Sequence, residues 1–354
     1  MQRIRALVAV VTLIAVVLGL WAITWRRTDT SVVVVYCAHD AVYADGVLKD
    51  FTAKTGIAVS VRYDTEATKS LGLVERLMAE DSAPQCDVFW NNEQLGTMDL
   101  ARRGMLADYR GAGWTRIPPR FRDADGHWTG FAARMRVVIE NTGIATAADH
   151  RAAQGAIAKP LYGTTLTHYC ALWARFGGDA VKRWHAALRA QGVHEVDGNA
   201  LVRVAVADGV CAWGLTDTDD AYEALDGGKP VRMVPARVAL IGLDAGSAAV
   251  SASAAAATDD PVVVIPNTVA VISGAPHLAA AQRLADFLAS ADTEIALAKS
   301  GSRQVPLGPV DAAQLPAEVV GLLPYVAQSM PIDARLLAAR DEVLPWLKAE
   351  YAGQ

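Results

Sequence analysis

The sequence has no surplus of basic charge, only four cysteines and none of the short motifs that mark common catalytic centres. It lacks a Gly-x-Ser-x-Gly nucleophile elbow, a His-Glu-x-x-His zinc helix, a Walker loop and a Gly-x-Gly-x-x-Gly turn after its first strand. The seven histidines are scattered rather than clustered. No internal repeat of about 20–50 residues is visible, which excludes solenoids and propellers. Of the 33 basic residues, Arg3, Arg5, Arg26 and Arg27 lie in the first 28 positions, which hold no acid; the rest of the chain carries 29 basic and 38 acidic residues, a net charge of −9. Such a body offers no basic face, so no nucleic-acid partner is expected. Net charge says little about a small ligand, whose binding is decided by local dipoles.

The scarcity of cysteine leaves two possibilities. An exported protein is free to form disulfides. Cys37 ends one predicted strand and Cys86 begins another, so in parallel neighbours they sit at opposite ends, too far apart to bond. Cys170 and Cys211 are better placed, on a helix and on a strand that it could pack against. The alternative is four buried thiols.

What is present is a chain of 354 residues, enough for two domains with ample core. Its 52% apolar and 20% charged content fits a globular body with one membrane-type segment. That segment runs from Ala6 to Trp25 behind Arg3 and Arg5, and at about 20 residues it is long enough to span a bilayer. Residues 1–28 are a cleaved signal peptide or an uncleaved anchor. The lack of a small-x-small cleavage site before Arg26, and of a cysteine placed for lipid attachment, favours the anchor. The arginine pairs nearly balance the positive-inside rule, so placing the body outside the cytoplasm rests on its secreted character.

The body is organised around Asp64–Glu93, read as loop, helix, turn, strand and loop. Leu71, Leu73, Val74, Leu77 and Met78 recur at helical spacing after a possible cap at Asp64-Thr65. Pro84 ends that helix, and Val88-Phe89-Trp90 is a short strand. Polar segments containing Thr65, Glu66, Asn91 and Glu93 fall at the ends of the strands Ala58–Tyr63 and Asp87–Trp90. In an open α/β sheet, ligands bind outside such strand ends. Upstream, Ser31–Cys37 is a β-branched run of the kind buried on both faces of a parallel sheet, with His39 and Asp40 at its end. A helix from Val42 to Thr55 closes at Gly56.

Thr129–Glu140 reads as a long strand with Arg134 and Arg136 on one face. Gly163-Thr164-Thr165 opens an apolar helix, and the exposed N–H groups and hydroxyls there make either an anion site or a plain threonine cap. A further helix begins near Asn199. Val210–Leu215 is a strand followed by Thr216-Asp217-Thr218-Asp219-Asp220. Three carboxylates in four residues suggest a metal, but the spacing is not that of a calcium loop, and acids at a helix start are ordinary. Ala245–Thr258 reads as a low-complexity surface insertion or short helix. Val262–Ile265 and Asn267–Ser273 read as two strands separated by Pro266.

Together, VVVVYCAHD, LKDFTAKTGIAV, CDVFWNNE, YGTT, VDGNALVRVAVADG, WGLTDTDDA and IPNTVAVI resemble, in order and spacing, a type II periplasmic solute-binding protein of an ABC importer, in the branch that includes ferric-iron-binding proteins. The resemblance covers about Val32 to Ala298. It implies a two-lobed α/β fold, each lobe a mostly parallel sheet flanked by helices. Lobe 1 would span 31–132 plus 266–298, and lobe 2 would span 133–265 plus 299–354. The ligand would lie between the lobes. By position, His39 or Asp40 corresponds to a first-lobe ligand and Glu93 to a glutamate ligand. Thr164, Thr165 and Asn199 correspond to the holders of a synergistic anion. Asp217, Thr218, Asp219 and Asp220 stand where that branch has its adjacent iron-binding tyrosines. This replacement puts ferric iron in doubt and leaves two chemistries. Glu93, Asp217, Asp219 and Asp220 could hold iron or another metal through oxygen ligands, with a synergistic anion. Alternatively, Thr164, Thr165 and Asn199 hold a phosphonate or sugar phosphate, with Arg134 in the cleft wall and the acids on an amine or hydroxyls. The second is preferred. The expected protein is a monomeric, exported solute-binding component in the periplasm or cell exterior, either released or tethered by residues 6–25, serving an inner-membrane ABC permease and not an enzyme. The rivals are an anchored ligand-sensing receptor domain and an enzyme on the same fold.

Overall fold

The computed structural model describes residues 32–64, 72–144, 155–239 and 260–352. The N-terminal apolar segment, the candidate residues Thr65 and Glu66, and the Ala/Ser-rich stretch lie outside these. Among the described residues no helix is long and apolar enough to cross a membrane.

The β-branched run forms strand β1, Val32–Cys37, parallel to both β2, Ala58–Tyr63, and β3, Val88–Asn91. Helix α1, Ala41–Thr55, follows β1 and ends where Gly56 takes φ 72° and returns its N–H to the Thr52 carbonyl. Val33, Val35 and Cys37 pack against Ala44, Leu48 and Phe51 of α1. Tyr36 and Phe89 face the other way, onto Leu73, Val74 and Leu77 of α2, Gly72–Ala79, and Leu100 of α3, Leu95–Arg102. This sheet is therefore covered on both faces, as its continuous apolar sequence requires.

A second layered body is built around β5, Gly155–Ala158, parallel to β6, His194–Val196, and to β7, Trp213–Asp217. One face carries α4, Gly163–Phe176, and α5, Gly178–Ala190. The other carries α6, Asn199–Ala207, and α7, Thr218–Asp226.

Two long strands join the bodies. β4, Thr129–Asn141, pairs antiparallel with β9, Val264–Val271, through its first half. Its second half pairs with β7 and with β8, Val231–Pro235. β9 in turn pairs with β3, giving the order β2-β1-β3-β9-β4-β7-β5-β6. β9 is one strand and not the expected two. Pro266 is tolerated within it because it pairs with Ala133 directly after a bulge, where the register shifts and Ala132 takes φ 38°. This bulge lies two residues before Arg134.

The C-terminal region divides between the two cores. Val305 bridges to Ala133, and Val305, Leu307 and Leu322 join the core of β1 and α1. The last helix, α8, Ala334–Glu350, packs Leu336, Val343 and Leu347 with Leu172 and Trp184 in the other core. It also reaches α3 through Arg102–Asp341 (2.6 Å) and Arg340–Asp99 (3.2 Å). Cys37, Cys86, Cys170 and Cys211 are all buried free thiols, so the Cys170–Cys211 bond does not form.

Candidate functional site

A cavity of about 310 Å³ opens where the starts of α1, α4, α6 and α7 converge. Asp40, Tyr43 and Asn92 line it from the β1–β3 side, Arg134 from β4, and Thr164, Thr165 and Asn199 from the far side. Asp219 and Asp220 complete the wall. Each helix directs its N-terminal N–H groups and the positive end of its dipole to this space.

Two of these helix starts are shaped by glycine. Gly163 takes φ 60° and Gly198 takes φ 118°, and neither α4 nor α6 has a side-chain cap on its first N–H groups. A Cβ at either glycine would meet nothing within 4 Å, so the requirement is conformational rather than steric.

Behind the wall lies a buried polar network. Arg136 is fully buried and donates through Nη1 to Asp217 Oδ1 (2.8 Å), Asn199 Oδ1 (3.0 Å) and Thr164 Oγ1 (3.2 Å). Asp217 Oδ2 accepts from Thr164 Oγ1 (2.6 Å) and Asn199 Nδ2 (3.0 Å). Thr165 Oγ1 donates to Asn199 Oδ1 at 3.3 Å. Thr164 and Asn199, on separate helices, are thus held in place by a charged pair beneath them. Burial would raise the Asp217 carboxyl, but Arg136, Arg134 and Thr164 outweigh it and hold the group below its ordinary value.

Arg134 is 6% exposed and lines the cavity. It donates through Nη2 to the Asn92 carbonyl (2.6 Å) and lies 3.6 Å from both Asp217 and Asp219, while its buried Nε has no partner. Burial alone would depress the guanidinium, but Asp219 and Asp217 hold it above its ordinary value. Burial pushes Asp219 up to about 6, with Arg134 opposing and Asp217 and Asp40 adding. Burial, then Asp219 and Asp217, push Asp220 up to about 8. Asp217, Asp219 and Asp220 can bring ligand oxygens within 4.8 Å of one another.

Other expected residues are placed differently. Glu93 is turned away from this cavity: its carboxylate accepts from the Gly96 N–H (2.8 Å), the Leu95 N–H and Asn91 Nδ2 (3.2 Å), and so serves the start of α3. Burial raises its pKa, partly offset by those amides. Asn91 is spent on Glu93 and Thr97, and the neighbouring Asn92 lines the cavity instead. His39 packs its ring against Tyr43 (5.9 Å) and Trp90 (5.5 Å) and does not reach the cavity. Thr218 is buried and accepts from the Met135 N–H at 3.2 Å.

Sequence reading missed Lys159, Tyr162 and Asp197 on the cavity wall, where Lys159 and Asp197 pair at 2.8 Å. Lys159 follows a strand only four residues long, too short to stand out. Glu223, also on the wall, pairs with Arg203 at 2.9 Å. Tyr222, the tyrosine next to the aspartate cluster, packs in the first core under Arg303, with its hydroxyl directed to the Glu318 carbonyl (3.4 Å).

Two α/β lobes linked by crossing strands around a cavity are the fold of type II periplasmic binding proteins. Iron-bound HitA from Pseudomonas aeruginosa is similar, with a TM-score of 0.72 and 20% identity, over 91% of this chain and 99% of that one. The periplasmic binding protein AfuA from Actinobacillus pleuropneumoniae, solved with fructose-6-phosphate, matches with a TM-score of 0.69 and 16% identity over 91% and 99% of the two chains. Apo ferric ion-binding protein A of Pasteurella haemolytica gives 0.72 and 16% over 90% and 97%. Among curated proteins, an Fe(3+)-binding periplasmic protein of Serratia marcescens is 28% identical over 109 residues, only 31% of this chain and 31% of that protein. No family model matches the chain.

Proposed function

We propose that this chain is the extracytoplasmic solute-binding component of an ABC importer, and that it captures a small organic oxyanion, a phosphonate or a sugar phosphate, by closure of its two lobes. The observation that carries this reading is the convergence, in one cavity, of two uncapped helix starts with the buried guanidinium of Arg134. A phosphoryl or phosphonyl group suits such donors, because N-terminal N–H groups, hydroxyls and a guanidinium all favour the ionised form. Ligand contacting both lobes would stabilise the closed state. The lobes are taken as 32–132 with 266–298 and as 133–265. Packing supports joining residues 305–322 to the first lobe and α8 to the second. On this reading the protein works in the periplasm or at the cell exterior as a monomer, meets an inner-membrane permease and performs no catalysis.

The test is a thermal-shift screen of the full-length chain in mild detergent against phosphonates, sugar phosphates, inorganic phosphate and metals. A ligand at about 100 times its Kd stabilises by roughly 2.7 kcal/mol through linkage. A shift with organic oxyanions, weakened in Thr165→Ala, supports the reading; a shift with metals alone overturns it.

The compact aspartate cluster favours a second reading, a metal carried with a synergistic anion. Opposing it, both Asp217 oxygens are engaged, and Glu93 is committed to α3. Under that reading Asp219→Asn abolishes a metal-induced shift.

A further inference from the structure

We infer that Glu294, which does not line the cavity, is a positioning residue for the ligand site: its carboxylate holds the bulge at Ala132 and so aims Arg134 into the cavity. The role of Arg134 in binding rests on the oxyanion reading above.

The register of β4 decides where its side chains point. Phe131 pairs with Asn267 and Ala133 with Pro266, so Ala132 is the extra residue and Arg134 stands opposite Ile265. With regular pairing in place of the bulge, Arg134 would slip by one residue to stand opposite Val264. A slip of one residue turns a side chain to the other face of a sheet. Arg134 would then take the place of Met135, which packs in the core of β1 and α1. A bulge thus re-aims the strand toward the cavity. It does not form unaided: Ala132 takes φ 38°, a conformation that bulges usually give to glycine because a Cβ disfavours it. The surroundings have to impose it.

Glu294 is fully buried in the first turn of the helix Ala291–Lys299. An acid there ordinarily serves its own helix. This one reaches away from it. Oε1 accepts from the Ala132 N–H (2.8 Å) and the Leu307 N–H (2.7 Å). Oε2 accepts from Arg116 Nη2 (2.6 Å) and the Gly308 N–H (3.1 Å). The same carboxylate therefore takes the donor that the bulge leaves out of the ladder and ties it to the segment that flanks β4. Within that segment Val305 bonds Ala133 in both directions at 2.8 Å. On the other side Asn267 Nδ2 donates to the Ala132 carbonyl and to Gln304 Oε1 (2.7 Å). Ala132 is fully buried, so losing the acceptor would strand its N–H away from water, at a cost the bulge could escape only by changing shape. Two residues on, Arg134 lines the cavity and donates to the Asn92 carbonyl at 2.6 Å.

The test has two arms on the full-length chain. In calorimetric titration with ethylphosphonate and glucose 6-phosphate, Glu294→Gln is expected to weaken binding on the order of tenfold, as for a displaced hydrogen bond to a charged group. The loss is expected to vanish in an Arg134→Met background. Ala132→Gly is expected to recover it, because glycine takes a positive φ unaided. Neither result would follow from a general loss of stability. The second arm needs no ligand. The thiol introduced by Arg134→Cys is expected to react with iodoacetamide from the cavity, against a background of four buried native thiols, and Glu294→Gln is expected to slow that reaction. Glu294→Asp, which keeps the charge beside Arg116 but withdraws the oxygens from Ala132, takes the place of Glu294→Gln in both arms if the latter fails to fold. Unchanged affinity, or an equal loss in the Arg134→Met background, overturns the inference. So does an introduced thiol that is unreactive, or that reacts at the same rate with and without the Glu294 substitution. If the unaltered protein binds neither anion at millimolar concentration, the oxyanion reading falls, and the thiol reaction alone decides whether Glu294 sets the register.

Discussion

Arg136 and Asp217 face each other across antiparallel β4 and β7, with Nη1 and Oδ1 2.8 Å apart and neither side chain more than 1% exposed. The pair does not line the cavity; it supports Thr164 and Asn199, which do. Removing one partner leaves the other charged and buried. Arg136→Met is therefore expected to destabilise the protein by about 3–5 kcal/mol, measured by urea denaturation. Adding Asp217→Asn should recover part of the loss, and a double variant no better than the single one would contradict the pairing.

The aspartate cluster gives a pH dependence whose sign is opposite to that of ordinary ion-paired acids. Asp219 and Asp220 rise from the ordinary 3.8 to about 6 and about 8, so the ligand-free folded state binds more protons than the unfolded chain. Their contribution is fully present below pH 4 and is lost as pH rises through these values. The melting temperature of the ligand-free protein is expected to fall between about pH 5 and pH 8.5. The slope should flatten in the Asp219→Asn, Asp220→Asn double variant, and an unchanged slope would remove these residues as its origin.

Arg134→Met should weaken oxyanion binding by about tenfold to a hundredfold, since hydrogen bonds to charged groups contribute about 1.5–3 kcal/mol. Titration calorimetry reads this directly. Arg134→Lys should recover only part of the affinity, because an ammonium lacks the planar fork.

Glu93→Ala should behave as the loss of a helix cap, with a stability loss of about 0.5–2 kcal/mol. Ligand affinity should be unchanged, as the carboxylate faces α3. A large loss of affinity at constant stability would return Glu93 to the binding site.

The thiols supply a simple control. Cys37, Cys86, Cys170 and Cys211 should resist an aromatic disulfide reagent in the native protein and react fully in denaturant, and reductant should not change the melting temperature.

Much of the fold was legible because the first sheet is read twice, as β-branched runs buried on both faces and as a helix with a glycine stop at Gly56. Thr164, Thr165 and Asn199 were legible because Gly-Thr-Thr and Gly-Asn mark helix starts with free N–H groups. Glu93 shows the limit of such reading: an acid after a strand suits a ligand and a helix start equally, and only the direction of its side chain distinguishes them. Arg134 and Arg136 share one strand face, yet one borders the cavity and the other lies in the network beneath it. Strand alternation cannot show how deep each will sit. Pro266 looked like a break because nothing in the sequence announces the bulge at Ala132 that accommodates it.

The position of β9 also bears on how the chain reaches its native state. β9 fills the space between β3 and β4, although most of the chain precedes it. While the polypeptide emerges from a ribosome or a translocation pore, β3 has a bare edge that no earlier strand closes. The N-terminal lobe therefore cannot mature first and wait for its neighbour, as sequential domains do. The β3 edge closes only once Val264–Val271 is delivered, and an open strand edge of this kind is a point of aggregation until then. A chain ending before Val264 should accumulate as insoluble material rather than as a working half.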